Sequence, residues 1–181
     1  MTDYLGVLKL VVGGLEAAGL PYMLSGSTAM SFYAQPRMTR DIDLVVDVTP
    51  EDADRFVALF GKDFYCDAEA VRRAVIERRV VNAIHLASLV KVDFIMRKDE
   101  PYRRAEFDRR RRRRIADMDV WLVAPEDLVL SKLLWAKAGG SELQLRDVRN
   151  LVTSVSSLDW PYIDDWAQRL TVGALLREVR S

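Results

Sequence analysis

Two acids stand at alternate positions in "DIDLVVD", residues 41 to 47. In a strand, residues two apart share a face, so Asp41 and Asp43 project together while Ile42 and Leu44 point the other way. Carboxylates that close repel, and one pKa rises unless a cation sits between them. A hard divalent ion with oxygen ligands, Mg²⁺ or Mn²⁺, resolves that repulsion. Asp93 in "LVKVDFIM" is a third acid of the same kind, flanked by Val92 and Phe94. If the two strands are neighbours, the three carboxylates converge. They would then seat one or two metal ions, able to activate a hydroxyl and neutralise a leaving pyrophosphate. The plain alternative is that Asp-x-Asp simply marks a strand start or a sheet edge. Asp47, just before Thr49, reads as a turn residue.

Upstream lies "LSGSTAM", residues 24 to 30. Gly26 permits a positive φ and a close approach of backbone to ligand. Ser27 stands at a helix start, where free N–H groups and the positive end of the dipole can receive an anion. A phosphate chain held there would reach a metal on Asp41 and Asp43, and Arg37 and Arg40 in the intervening loop would add phosphate contacts. Ser27 also fits a simple N-cap role.

The elements that must position these groups follow from the hydrophobic pattern. Leu5, Leu8, Val12 and Leu15 recur at helical spacing, and Gly19 suits that helix's end. "YMLS" reads as a strand, "STAMSFYA" as a short helix, "QPRMTR" as loop and "DIDLVVD" as strand. Thr49 and Pro50 read as N-cap and first residue of a helix over "EDADRFVALF", closed by Gly61. "DAEAVRRAVIERR" reads as a second helix. "VVNAIHLA" and "LVKVDFIM" read as a hairpin, the arginine-rich stretch after them as helix, and "DVWLV" as a last strand. From Pro125 the pattern is helical, broken by Gly and Pro. The fold class is α+β, with a core over residues 1–123 and a helical C-terminal part over 124–181 packed on it.

Composition bounds the rest. The chain has 181 residues, half of them hydrophobic, enough for one good core. No run approaches the roughly 18 apolar residues of a membrane span. The first 20 residues carry acids and no basic leader, so they read as an amphipathic helix and the expected address is the cytoplasm. Cys66 is the single cysteine and His85 the single histidine, which excludes a disulfide framework and a Cys- or His-rich metal site. Twenty-seven basic residues balance 27 acidic ones, yet residues 101–114, "PYRRAEFDRRRRRR", sum to +6 and leave the remainder at −6. Six consecutive Arg would wrap round a helix, some tracking the phosphates of an RNA and others pairing with acids. Trp121, Trp135, Trp160 and Trp166 read as packing residues. Cys66 has no His near it in sequence and reads as a poor nucleophile.

Taken together, "SGS…RMTRDIDLVV…KVDFI" resembles the DNA polymerase β-like nucleotidyltransferase superfamily. That superfamily has a Gly-Gly/Ser turn, a gap of about a dozen residues, Asp-x-Asp/Glu, and a third acid on a later strand. The chain is similar to small bacterial nucleotidyltransferases of type IV abortive-infection systems. Their Arg-x-Thr-x-Asp-x-Asp string is matched by Arg37, Thr39, Asp41 and Asp43. Their Asp-x4-Lys is matched by Asp127 and Lys132, and their Arg/Lys-Asp pair by Arg146 and Asp147. Asn150 departs from relatives that carry a second acid there. The resemblance implies a nucleotidyltransferase-like mixed sheet flanked by helices. It implies Mg²⁺ or Mn²⁺ on Asp41, Asp43 and Asp93, which are also the catalytic residues, and an NTP such as ATP held by Gly26, Ser27, Arg37, Arg40, Lys132 and Asp147. The implied acceptor is RNA such as tRNA, a protein or a small molecule; a toxin role would bring a cognate antitoxin. Lys132 also fits a surface role, Asp127 a helix-dipole role, and Asp147 a pairing with Arg146 or Arg149. A non-catalytic module that binds nucleotide, RNA or protein on the same fold is the alternative.

Overall fold

A computed structural model describes residues 4–35 and 41–180. Among these, seven strands form one mixed sheet: β1 (Tyr22–Leu24), β2 (Asp41–Val46), β3 (Phe64–Tyr65), β4 (Val80–His85), β5 (Lys91–Met96), β6 (Arg111–Ile115) and β7 (Met118–Leu122). Their order is β3-β4-β5-β2-β1-β7-β6. The β2–β5 and β1–β7 pairs are parallel and the others antiparallel, so the expected β4–β5 hairpin is present.

Alternation decides which face is core. Ile42, Leu44 and Val46 of β2 and Val92, Phe94 and Met96 of β5 are buried. They meet Phe56, Phe60 and Phe64, whose rings stack edge to face with Phe94 and one another at 5.1 to 5.9 Å. Each buried ring contributes about 1.5–3 kcal/mol. The opposite face carries Asp41, Asp43, Lys91 and Asp93, all partly exposed. That polar row is the part of the sheet the core does not explain.

The helices are α1 (Tyr4–Ala17), α2 (Gly26–Met30), α3 (Ala53–Ala58), α4 (Ala68–Glu77), α5 (Pro101–Asp108), α6 (Pro125–Gly139), α7 (Glu142–Ser154), α8 (Trp160–Arg169) and α9 (Gly173–Arg180). Asp67 caps α4, accepting from the N–H groups of Glu69 and Ala70, and Asp159 caps α8 by accepting from Tyr162. Helix α6 is apolar on several sides, with Leu128, Val129, Leu130 and Leu133 all fully buried, as a central helix must be. The expected helix from Thr49 begins instead as a 3₁₀ turn (Pro50–Asp52) leading into α3. No helix among the described residues is long and apolar enough to cross a membrane.

The arginine run departs from its expected helix. Helix α5 stops at Asp108, and Arg111–Ile115 is the edge strand β6. Six Arg on successive helical positions would crowd like charges at every i,i+3 and i,i+4 contact. The strand separates them onto two faces. Arg112 and Arg114 lie 4.0 and 3.7 Å from Asp119, while Arg109 and Arg111 lie 3.3 and 3.2 Å from Glu126. The guanidinium of Arg110 sits 4.2 and 4.9 Å from the ring centres of Phe107 and Trp121. A charged edge of this kind also discourages pairing with a strand from another chain.

Candidate active site

The parallel register of β2 and β5 places Asp43 directly opposite Asp93 and Asp41 directly opposite Lys91. Four charged groups therefore share one patch of the exposed face. The Lys91 ammonium lies 2.9 Å from Asp93 Oδ2 and 3.4 Å from Asp41 Oδ2.

Strand β1 delivers the Gly-Ser turn to the same patch. The Ser25 N–H donates to the Asp43 carbonyl at 2.9 Å. Gly26 follows with φ +61°, and a Cβ there would lie 2.0 Å from Asp43 Oδ2 and 2.5 Å from its Cγ. Glycine is required twice over: for the left-handed backbone and for the carboxylate that crosses it. The Ser27 N–H donates to the Asp43 side chain. The donor expected to meet phosphate thus already orients an acid in this structure. Thr28 Oγ1 and Tyr4 Oη hydrogen-bond each other and reach the Asp41 carbonyl at 3.3 and 3.2 Å, fixing the start of β2 to α1 and α2.

Crowding leaves a mark on Asp43. Its pKa is raised from 3.8 to about 6, by burial first and then by the charges of Asp93 and Asp41, against the Ser27 N–H and Lys132, which lower it. A carboxylate in this state gains from an added positive charge. The donor set is all oxygen, as Mg²⁺ or Mn²⁺ prefers. Among the described residues, no group of three or more His, Cys, Asp or Glu side chains is gathered closely enough to hold a metal. Lys91 accounts for part of this by engaging both Asp41 and Asp93. Asp43 and Asp93 face each other across β2 and β5, with Asp41 two residues before Asp43.

Lys132 and Asp147 sit behind the acids. Lys132 is fully buried, not a surface residue, and its Nζ donates to Asp147 Oδ2 at 2.7 Å and Gln144 Oε1 at 3.2 Å. Asp147 therefore pairs with Lys132, on α6, whereas Arg149 pairs with Glu178. The Lys132–Asp147 pair ties α6 to α7 and holds a positive charge near Asp43.

Asp127 does lie in the first turn of α6, and it has stronger reasons to be there than the helix dipole. Its carboxylate is buried and accepts from Tyr162 Oη at 2.6 Å and Arg109 Nε at 3.1 Å; burial lifts its pKa to about 6. Arg37, Thr39 and Arg40 lie outside the described residues. Asp47 pairs with Arg97 at 2.9 Å. His85 Nδ1 is 2.8 Å from Ser88 Oγ, a structural contact, and burial pushes the Cys66 thiol up. Trp121, Trp160 and Trp166 pack against the core.

A cavity of about 710 Å³ lies further along β2 and β5, and none of the three acids lines it. Val45 and Ile95, the next residues after Asp43 and Asp93 on the same face, form its floor. Ser25 joins it from the turn, and Leu134, Trp135 and Ala138 of α6 cover it. One wall is a network that sequence reading missed: buried Glu106 accepts from Arg103 at 2.7 Å and from Ser131 at 2.5 Å. Its size suits a small organic molecule.

The seven-stranded mixed sheet flanked by helices, with its helical C-terminal part, matches the fold of solved nucleotidyltransferases. Solved structures of that class superpose on it. The antibiotic-resistance factor ANT(2'')-Ia, in complex with adenylyl-2''-tobramycin, matches with a TM-score of 0.58 and 14% identity, covering 97% of each chain. An antigenic nucleotidyltransferase-like protein from Paracoccidioides brasiliensis gives 0.56 and 19% identity, over 82% of this chain and 73% of that one. The lincosamide antibiotic adenylyltransferase LnuA, lincomycin-bound, gives 0.54 and 13% identity, over 82% and 96%. No protein-family description and no curated protein sequence matches the chain.

Proposed function

We propose that this protein is a divalent-metal-dependent nucleotidyltransferase that moves a nucleoside monophosphate from an NTP to the hydroxyl of a small-molecule acceptor. The observation that carries this reading is the facing of Asp43 and Asp93 across β2 and β5, beside Gly26. The small-molecule acceptor, in preference to RNA or protein, is supported by the cavity of about 710 Å³ further along these strands and by the antibiotics named with two structures of the same fold.

In this reading Asp41, Asp43 and Asp93 hold the metal ion. When bound, the ion neutralises charge on the phosphates and polarises the reacting phosphorus. The acceptor oxygen attacks the α-phosphorus as the bond from that phosphorus to the α,β-bridging oxygen breaks. Pyrophosphate leaves with that electron pair. Asp93 takes the acceptor's proton. Gly26 and Ser27 would seat the β- and γ-phosphates, and Arg37 and Arg40 would add anion contacts. Lys132, paired with Asp147 at 2.7 Å, offsets negative charge at Asp43. Most of the rate enhancement then comes from positioning and charge neutralisation.

A second reading is favoured by one feature. Lys91 already engages two of the three acids, as it would in a non-catalytic module that keeps the fold. Thermal-shift series with Mg²⁺ and each NTP separate the two. The enzyme reading expects stabilisation by metal and nucleotide together, lost in Asp43→Ala. Indifference of the wild type to both would favour the module.

A further inference from the structure

Trp135 differs from the other tryptophans. It is half-buried on α6 and lines the cavity of about 710 Å³. Among the described residues its ring stacks on no other ring or guanidinium, whereas Trp121, Trp160 and Trp166 each lie under an arginine and against the core. Val45 and Ile95 form the floor beneath it. An indole over an aliphatic floor seats a flat apolar body.

The charge around this seat is one-sided. The lining holds five cations, Arg78, Arg79, Arg97, Lys98 and Arg103, against two carboxylates, Glu100 and Glu106. Glu106 is buried and already engaged by Arg103 and Ser131. Glu100 lies 3.9 Å from Lys98. The acids that meet the other arginines lie outside the lining. Asp47 is 3.8 Å from Arg78 and 2.9 Å from Arg97, Asp99 is 3.8 Å from Arg97, and Glu77 is 2.9 Å from Arg79. Arg78 also donates to the Val48 carbonyl at 3.0 Å and Arg97 to that of Lys98 at 3.5 Å. A guanidinium has five N–H donors, so these contacts leave donors over. Arg97 follows Asp93 by four residues, which sets this basic end about 13 Å from the acid along the strand. Ser25 lines the cavity too, and its N–H donates to the Asp43 carbonyl, so it marks the end nearer the acids.

We infer that the cavity takes a flat, hydroxyl-bearing aromatic compound that carries an anionic group. This names the chemical class of the acceptor and rests on the acceptor reading proposed above. The ring lies between Trp135 and the floor of Val45 and Ile95. The anionic group meets Arg79, Arg97 and Lys98, and the hydroxyl points to Ser25 and the acids beyond it. An amine-rich compound would meet cations here instead. The base and phosphates of a nucleotide share this chemistry, so ATP enters the test as its other source.

The test is a calorimetric titration with neither metal nor NTP present, so it does not depend on turnover. Three probes share one ring and differ in charge: 2-naphthoate, 2-naphthamide and 2-naphthylmethylammonium. Kd should rise in that order, with the anion at least about tenfold tighter than the cation. Arg79 and Lys98 are 75% and 59% exposed, so Arg79→Met with Lys98→Met spares the fold and should cut that ratio to less than about threefold. Trp135→Ala should weaken all three probes by about tenfold, and Trp135→Phe by much less. ATP without metal should leave naphthoate binding unchanged. Equal binding of the three probes, a preference for the ammonium, no binding at all, or naphthoate binding indifferent to both sets of variants would overturn the inference. Competition by ATP would place the nucleotide in the cavity and overturn it too. Nucleotidyl transfer is read separately, from labelled NTP; its failure with the probe order intact would overturn the transferase reading and leave the ligand class of the cavity standing.

Discussion

Asp43→Asn should make the protein more stable and inactive at once. The carboxylate is held against Gly26, beside Asp93 and Asp41, and its pKa stands at about 6 instead of 3.8. A shift of about 2 units at 1.36 kcal/mol each means that keeping Asp43 ionised costs the folded protein roughly 3 kcal/mol at neutral pH. Asparagine removes the charge, keeps the shape and still accepts from the Ser27 N–H. The attraction of Lys132 is already contained in that shift, so the gain expected is up to about 3 kcal/mol, or a Tm rise of up to about 12 °C in a domain of this size. The pH dependence is the sharper signature. Because the folded-state pKa is raised, the cost is absent below about pH 4, where folded and unfolded chains both hold the proton. It grows as pH rises and is complete above about pH 6–7. The difference in Tm between mutant and wild type should therefore open between about pH 4 and 7 and then stay constant. Asp127, also raised to about 6, remains in both proteins and cancels. Scanning calorimetry or urea denaturation across that range checks this. A mutant that is destabilised at pH 7.5, or whose advantage does not vary with pH, would refute the picture of a charge-crowded Asp43.

Gly26→Ala should cost roughly 2–4 kcal/mol, from the left-handed backbone and from the 2.0 Å approach to Asp43, read as a lower urea midpoint. It should also abolish transfer by displacing the carboxylate. Lys132→Met should cost about 3–5 kcal/mol by leaving Asp147 buried without its counter-charge, and the double change Lys132→Met with Asp147→Leu should recover much of that loss in the same assay. The toxin role implied by resemblance predicts growth arrest when the wild type is expressed in bacteria, relieved by Asp41→Ala; harmless expression would count against it.

The core face was legible because β2 and β5 alternate between polar and apolar residues over their first four positions. Ile42, Leu44, Val92 and Phe94 announced it, and the acids between them announced the other face. What the chain alone left conditional was adjacency. Only the β2–β5 pairing, between strands 50 residues apart, turns two motifs into one patch. Lys91 was within reach of the same rule, since it lies two residues before Asp93, yet a lone lysine on a strand carries no signal until its neighbour across the sheet is known. Lys132 and Asp147 are joined by the packing of α6 on α7, which helical periodicity does not specify. The arginine run misled because local propensity treats Arg as a helix former, while its acidic partners, Glu126 and Asp119, lie elsewhere in the chain. Gly26 was singled out for backbone freedom, and its second reason, the carboxylate lying across it, is a tertiary fact.

The most direct measurement follows two labels on one NTP. Each of the four NTPs, carrying ³²P at the α or the γ position, is incubated with the protein, Mg²⁺ and a cell extract as the source of acceptors. Label from the α position should appear on a new product with one NTP at least, label from the γ position should leave as pyrophosphate, and both events should vanish in Asp43→Asn and Asp93→Asn. Failure of any α label to move, or transfer that persists when Asp93 is replaced, would contradict the account.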